Sequence, residues 1–125
     1  MMMTADPLIL YIEDERPIME LVRQALKLSG FSVVGAYTGR QGLDLMRQQK
    51  PHLLLLDLMM PDFNGWDVYR AMKTDDVLAD IPVIVVTAKI PERDRIIVDD
   101  LPPVEDYITK PFDVEHLIRT VRNYL

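Results

Sequence analysis

The sequence predicts an α/β fold in which one doubly wound, five-stranded parallel sheet carries helices on both faces. Two observations predict it. Short runs that are apolar at every position recur along the chain: Leu8 to Ile12, Leu53 to Leu56 and Val83 to Val86. Between them lie stretches whose apolar residues fall at helical spacing. Strands apolar on both faces need cover on both sides, and alternation with helices makes the sheet parallel. The 125 residues suit one domain with one core, and a hydrophobic fraction of 49% can fill it.

The elements follow in order. Leu8 to Ile12 is the first strand. Pro17 to Ser29 reads as a helix, with Ile18, Leu21, Val22, Ala25 and Leu28 on one face. Pro17 suits its first turn and Gly30 its stop. Phe31 to Ala36 is the second strand. Arg40 to Gln49 is a helix that Pro51 prevents from continuing. Leu53 to Leu56 is the third strand, and Trp66 to Lys73 a helix entered through Gly65. Val83 to Val86 is the fourth strand. A weaker helical pattern covers Glu92 to Asp100. Tyr107 and Ile108 mark a short fifth strand. Val114, Leu117, Ile118, Val121 and Leu125 form the stripe of a last helix.

Composition removes several classes of function. There is no cysteine, hence no disulfide framework and no thiolate metal site, which fits a reducing, cytoplasmic setting. No apolar run has the length of a signal peptide or a membrane span. A net charge of −6 makes a direct nucleic-acid surface a poor expectation. The expected organisation is a single domain over residues 1–125 with no output domain.

Folds of this class place their sites beyond the carboxyl ends of the strands. After the first strand come Glu13, Asp14 and Glu15. After the third comes Asp57, after the fourth Thr87 and the small Ala88, and after the fifth Lys110 and Pro111. Each piece alone is commonplace: a solvated loop, a turn residue, a β-former, punctuation before a helix. Together they put carboxylates, one hydroxyl and one ammonium on one sheet edge. Crowded carboxylates repel, and a divalent cation relieves that repulsion. Oxygen ligands without His or Cys point to Mg²⁺. Such a set suits phosphoryl transfer, with Asp57 as a carboxylate nucleophile and Lys110 holding an anionic oxygen.

These residues resemble the receiver domains of two-component response regulators. The resemblance spans essentially the whole chain. It is carried by Tyr11-Ile12-Glu13-Asp14-Glu15, by Leu55 to Gly65 around Asp57, by Val85-Val86-Thr87-Ala88, and by Asp106 to Phe112. It implies a flavodoxin-like strand order of 2-1-3-4-5. It implies that Asp57 is the phosphoacceptor and that Asp14, Asp57 and the Met59 backbone carbonyl ligate Mg²⁺, with Glu13 acting through a metal-bound water. Lys110 would contact the phosphoryl group, and Thr87 would bond one of its oxygens. Tyr107 sits at the aromatic switch position, and the Lys110–Pro111 peptide would be cis and aim Lys110 into the site. Gly65 would supply backbone freedom for the turn into the third helix. Met59, two places after Asp57, and Lys89, two after Thr87, would influence how water reaches the acyl phosphate. The partners implied are a histidine kinase or histidine phosphotransfer protein as donor, and a downstream protein at the surface of the fourth helix, fifth strand and fifth helix. The domain is expected as a monomer or weak dimer, catalysing only its own phosphorylation and dephosphorylation.

Other residues fall outside this scheme. Glu15 is expected to face solvent, Trp66 and Tyr69 to pack, and His52 and His116 to lie at surface or edge. The fourth helix is expected to be atypical. Pro103 stands where the family usually has a helix-closing glycine, Asp99 and Asp100 oppose the dipole, and Ile96-Ile97-Val98 is β-branched. Two alternatives remain: a phosphorylation-independent pseudo-receiver scaffold, and an aspartate-dependent phosphatase. The phosphatase would need a second Asp where Met59 stands, and the conjunction of Asp14, Asp57, Thr87 and Lys110 argues against the scaffold.

Overall fold

The apolar runs at Leu8, Leu53 and Val83 are buried strands. The structure is a computed structural model that describes residues 6–60, 63–88 and 102–125. β1 (Leu8–Ile12), β3 (Leu53–Leu56) and β6 (Val83–Thr87) are buried at every position. β2 (Ser32–Ala36) and β7 (Asp106–Thr109) flank them and are only partly covered, as edge strands are. The sheet runs β2-β1-β3-β6-β7, all parallel. Counting these five strands alone, that is the expected 2-1-3-4-5 order. A two-residue pair, β4 (Met59–Met60) with β5 (Phe63–Asn64), forms a small antiparallel hairpin that the apolar pattern does not announce.

Side chains alternate across the sheet and feed two cores. Leu10, Ile12, Leu54, Leu56, Val83 and Val85 pack with Met46, Val68, Tyr69 and Met72 of α2 (Gly39–Gln48) and α3 (Gly65–Lys73). Ile9, Tyr11, Leu55, Ile84 and Val86 pack with Met19, Val22 and Leu26 of α1 (Arg16–Leu28) and with Leu117 and Val121 of α4 (Val114–Asn123). Each such side chain contributes roughly 1.5–3 kcal/mol on burial. The helix on Val114–Asn123 is the last helix of the sequence pattern. The expected fourth helix, Glu92 to Asp100, lies outside the described residues.

The helices begin and end where local chemistry dictates. Pro17 sits in the first turn of α1. At its end Gly30 takes φ +97°, its N–H donates to the Lys27 carbonyl (3.1 Å) and the Phe31 N–H to the Leu26 carbonyl (3.1 Å). That is a Schellman stop, which requires the left-handed conformation glycine tolerates. Thr38, Asn64 and Asp113 cap α2, α3 and α4 by accepting N–H bonds from Gln41, Trp66 and Glu115. Trp66 and Tyr69 pack as expected, edge to face at 5.8 Å, and Tyr69 donates its hydroxyl to the Pro102 carbonyl. Glu15, His52 and His116 are exposed. His52 also accepts the Leu8 N–H on Nδ1 (2.9 Å).

Candidate functional site

The parallel ladder runs one step past the strands and fixes the residues that carry chemistry. Ile12 pairs with Ala36 and with Leu56, so the positions after β1 and β3 lie side by side. The Glu13 N–H donates to the Ala36 carbonyl (2.9 Å) and the Asp57 N–H to the Ile12 carbonyl (3.1 Å). Thr87 pairs with Thr109, and the Lys110 N–H donates to the Thr87 carbonyl (2.7 Å). The Lys110–Pro111 peptide is cis. Glu13, Asp57, Thr87 and Lys110 thus meet on one edge because four neighbouring strands end together.

Asp57 is 2% exposed. Its Oδ1 accepts the Met59 N–H (3.0 Å), and Lys110 Nζ lies 3.3 Å from Oδ2. Lys110 is closer still to Glu13, 2.5 Å from Oε1. Glu13 is fully buried, and the same Oε1 accepts the Tyr11 hydroxyl (2.8 Å), while Oε2 faces the Glu15 N–H at 3.3 Å. Among the described residues, Glu13, Asp14 and Asp57 each bring a carboxylate oxygen within 4.8 Å of the others'. Thr87 is fully buried, and its Oγ1 has no hydrogen-bond partner among the described residues. A buried hydroxyl left unmatched in this way is uncommon. Met59 turns its side chain to solvent, and Tyr107 is half-buried against the α2–α3 core.

The electrostatics follow from burial and crowding. Burial, then the adjacent Glu13 carboxylate, pushes Asp57 from its ordinary 3.8 up to about 7, against the Met59 N–H bond and the weaker pull of Lys110. Asp14 is also raised, first by burial. Glu13 goes down: burial opposes its charge, but hydrogen bonds led by Lys110 outweigh that. Lys110 is raised because its two carboxylate partners overcome its own burial. Three carboxylates against one ammonium leave an excess of negative charge, which a hard divalent cation would balance. The oxygen-only donor set fits such an ion.

Two features depart from the sequence reading. Gly65 does not have positive φ; among the described residues only Gly30 does. Gly65 is required for space, because a Cβ there would stand 2.6 Å from the Asp57 carbonyl oxygen and 2.7 Å from Leu58 Cα. Tyr11 has no assigned role in the sequence, although alternation along β1 places it on the same face as Glu13.

Residues 9–122 match the family model described as the response regulator receiver domain. The chain belongs to that family. It is 40% identical over 119 residues to the DNA-binding dual master transcriptional regulator RpaA of Synechocystis, covering 95% of this chain and 49% of that protein. The receiver domain spans about half the length of the curated relatives it matches. Its fold superposes on the chemotaxis protein CheY4 of Vibrio cholerae with a TM-score of 0.89 at 21% identity, covering 97% of this chain and all of that one. It also matches the Mn²⁺-bound form of response regulator Rcp1, at 30% identity and a TM-score of 0.76, covering 94% of this chain and 90% of that one. Among the described residues of this receiver domain, no helix is long and apolar enough to cross a membrane.

Proposed function

We propose that this receiver domain accepts a phosphoryl group on Asp57 from a histidine kinase or histidine phosphotransfer protein and switches a protein-binding surface in response. The observation that supports the reading is the setting of Asp57: a buried carboxylate whose oxygens lie within 4.8 Å of carboxylate oxygens of Glu13 and Asp14, with the Lys110 ammonium 3.3 Å away. In the transfer, an Asp57 carboxylate oxygen bonds to phosphorus, the bond to the donor's nitrogen breaks, and the leaving imidazole keeps the electron pair. Asp14, Asp57, the Met59 carbonyl and, through water, Glu13 would hold Mg²⁺. The ion would supply charge neutralisation for the incoming anionic group. Lys110 follows the transferred group's oxygens as a point charge. The unmatched Thr87 hydroxyl donates to one of them, and Tyr107 responds to the movement of Thr87. The reading places the protein in the cytoplasm, acting only on its own phosphorylation state. Its output surface is the one containing β7 and α4.

The test is direct. Incubated with acetyl phosphate and Mg²⁺, the protein should gain the mass of one phosphoryl group. Asp57→Asn and an excess of chelator should each abolish the gain. An adduct that survives Asp57→Asn would sink the assignment.

The lifetime of the adduct is a second expected result. Met59 is 68% exposed at the rim of the site, and a thioether does not orient a water by hydrogen bonding. Self-hydrolysis should therefore be slow. Met59→Asn should speed it about fivefold, the rate equivalent of one net hydrogen bond of ~1 kcal/mol. Lys89, the other position expected to matter, lies outside the described residues. Following phosphoryl loss by intact mass after donor removal measures this, and equal rates would count against the idea.

A further inference from the structure

Lys110 has two carboxylate partners, and it lies nearer to the wrong one. Its Nζ is 2.5 Å from Glu13 Oε1 but 3.3 Å from Asp57 Oδ2. Under the function proposed above, on which this inference rests, Lys110 must turn from Glu13 to the group arriving on Asp57. That move would strip a donor from a fully buried carboxylate oxygen. An unmatched buried charge of this kind is expensive, so Glu13 would hold the lysine back.

The floor of the site contains a remedy. Tyr11 is fully buried in the core between β1, α1 and α4, and its hydroxyl donates to that same Oε1 at 2.8 Å. Strand alternation fixes it there, two residues before Glu13 on the same face. Burial and the Glu13 charge raise the phenol's pKa, so it remains a donor. We infer that Tyr11 is a positioning residue: its hydroxyl keeps Glu13 Oε1 matched when Lys110 leaves, which frees Lys110 to serve the phosphoryl group on Asp57. The plainer account is a core tyrosine satisfying its own hydroxyl. That account ties Tyr11 to stability alone and gives it no influence on Lys110.

Tyr11→Phe separates the two, because the ring keeps its volume and only the donor is lost. The measurements are the phosphorylation rate with acetyl phosphate at saturating Mg²⁺, read by intact mass, and the Mg²⁺ Kd by calorimetry. They are made on the parent, Tyr11→Phe, Lys110→Met and the double variant, with circular dichroism to establish folding. The rate should fall about tenfold in Tyr11→Phe, the scale of one buried charge-assisted hydrogen bond, while Kd stays within about twofold. In the Lys110→Met background the same change should alter the rate by less than about twofold. An unchanged rate in Tyr11→Phe overturns the inference. So does a Kd that weakens as much as the rate, or a full tenfold effect without Lys110. A parent that takes no phosphoryl group sinks the proposed function as well. A phosphorylated parent matched by Tyr11→Phe sinks this inference alone.

Discussion

Lys110→Met is expected to destabilise the metal-free protein by roughly 3–5 kcal/mol, the range for removing one partner of a buried charged pair. The lysine side chain is 13% exposed, and it faces Glu13 and Asp57, whose side chains are 0% and 3% exposed. Methionine fills the stem's volume but leaves two carboxylates confronting each other without a cation. The loss should shrink when Asp57 is also replaced by Asn, since one of the two charges is then gone. Urea denaturation of the two single variants and the double variant measures the coupling. Strict additivity would mean that Lys110 does not hold the pair together. Added Mg²⁺ should recover part of the Lys110→Met loss through mass action on the folded state.

The same site gives the parent a pH signature. Asp57 is raised from 3.8 to about 7, so the folded state binds that proton more tightly than the unfolded chain. The stabilisation from this group is present below about pH 4 and is lost as pH rises through about 7. Asp57→Asn removes the effect. Asparagine can still accept the Met59 N–H, and Lys110 keeps Glu13. The variant should therefore exceed the parent in stability, by an amount that grows from about pH 4 to about pH 7, levels off above that and stays near or under about 4 kcal/mol.

The sheet was legible because burial on both faces leaves an unambiguous mark. Leu53-Leu56 has no polar residue to misplace, and its limits match; the limits of α1 and α2 differ by one residue and α4 ends two short of Leu125, where caps rather than periodicity decide. The candidate site was legible for the same reason, since knowing the strand ends places Glu13, Asp57, Thr87 and Lys110 together. The hairpin of β4 and β5 was not, because two-residue strands are too short to show a period. The Lys110 contact with Glu13 depends on side-chain torsions that spacing does not encode, and Tyr11 took its importance from that contact. Gly65 is needed for space, not for the backbone freedom its place before α3 suggests. The same letter serves a positive φ at Gly30 and a close backbone approach at Gly65.

That distinction yields a large expected effect. In Gly65→Ala the new Cβ would lie 2.6 Å from the Asp57 carbonyl oxygen and 2.7 Å from Leu58 Cα, both backbone atoms that no rotamer change can move. Either the start of α3 or the Asp57–Leu58 segment must shift, and the Gly65 N–H bond to the Leu58 carbonyl (3.1 Å) ties the two together. Overpacking of this kind costs roughly 1–3 kcal/mol. Because the shifted segment carries Asp57, the site should suffer with the fold: Mg²⁺ affinity should fall at least about tenfold, the equivalent of ~1.4 kcal/mol. Gly30→Ala is the control. Its Cβ meets no atom within 4 Å, but φ is +97°, so it should lose roughly 1–2 kcal/mol of stability through strain alone. Gly30 closes α1, away from the candidate site, and its replacement should leave Mg²⁺ binding to the folded protein intact. Denaturation midpoints together with calorimetric titration resolve the pair. Equal losses of stability with metal affinity retained in both would show that Gly65 spaces the helix without shaping the site.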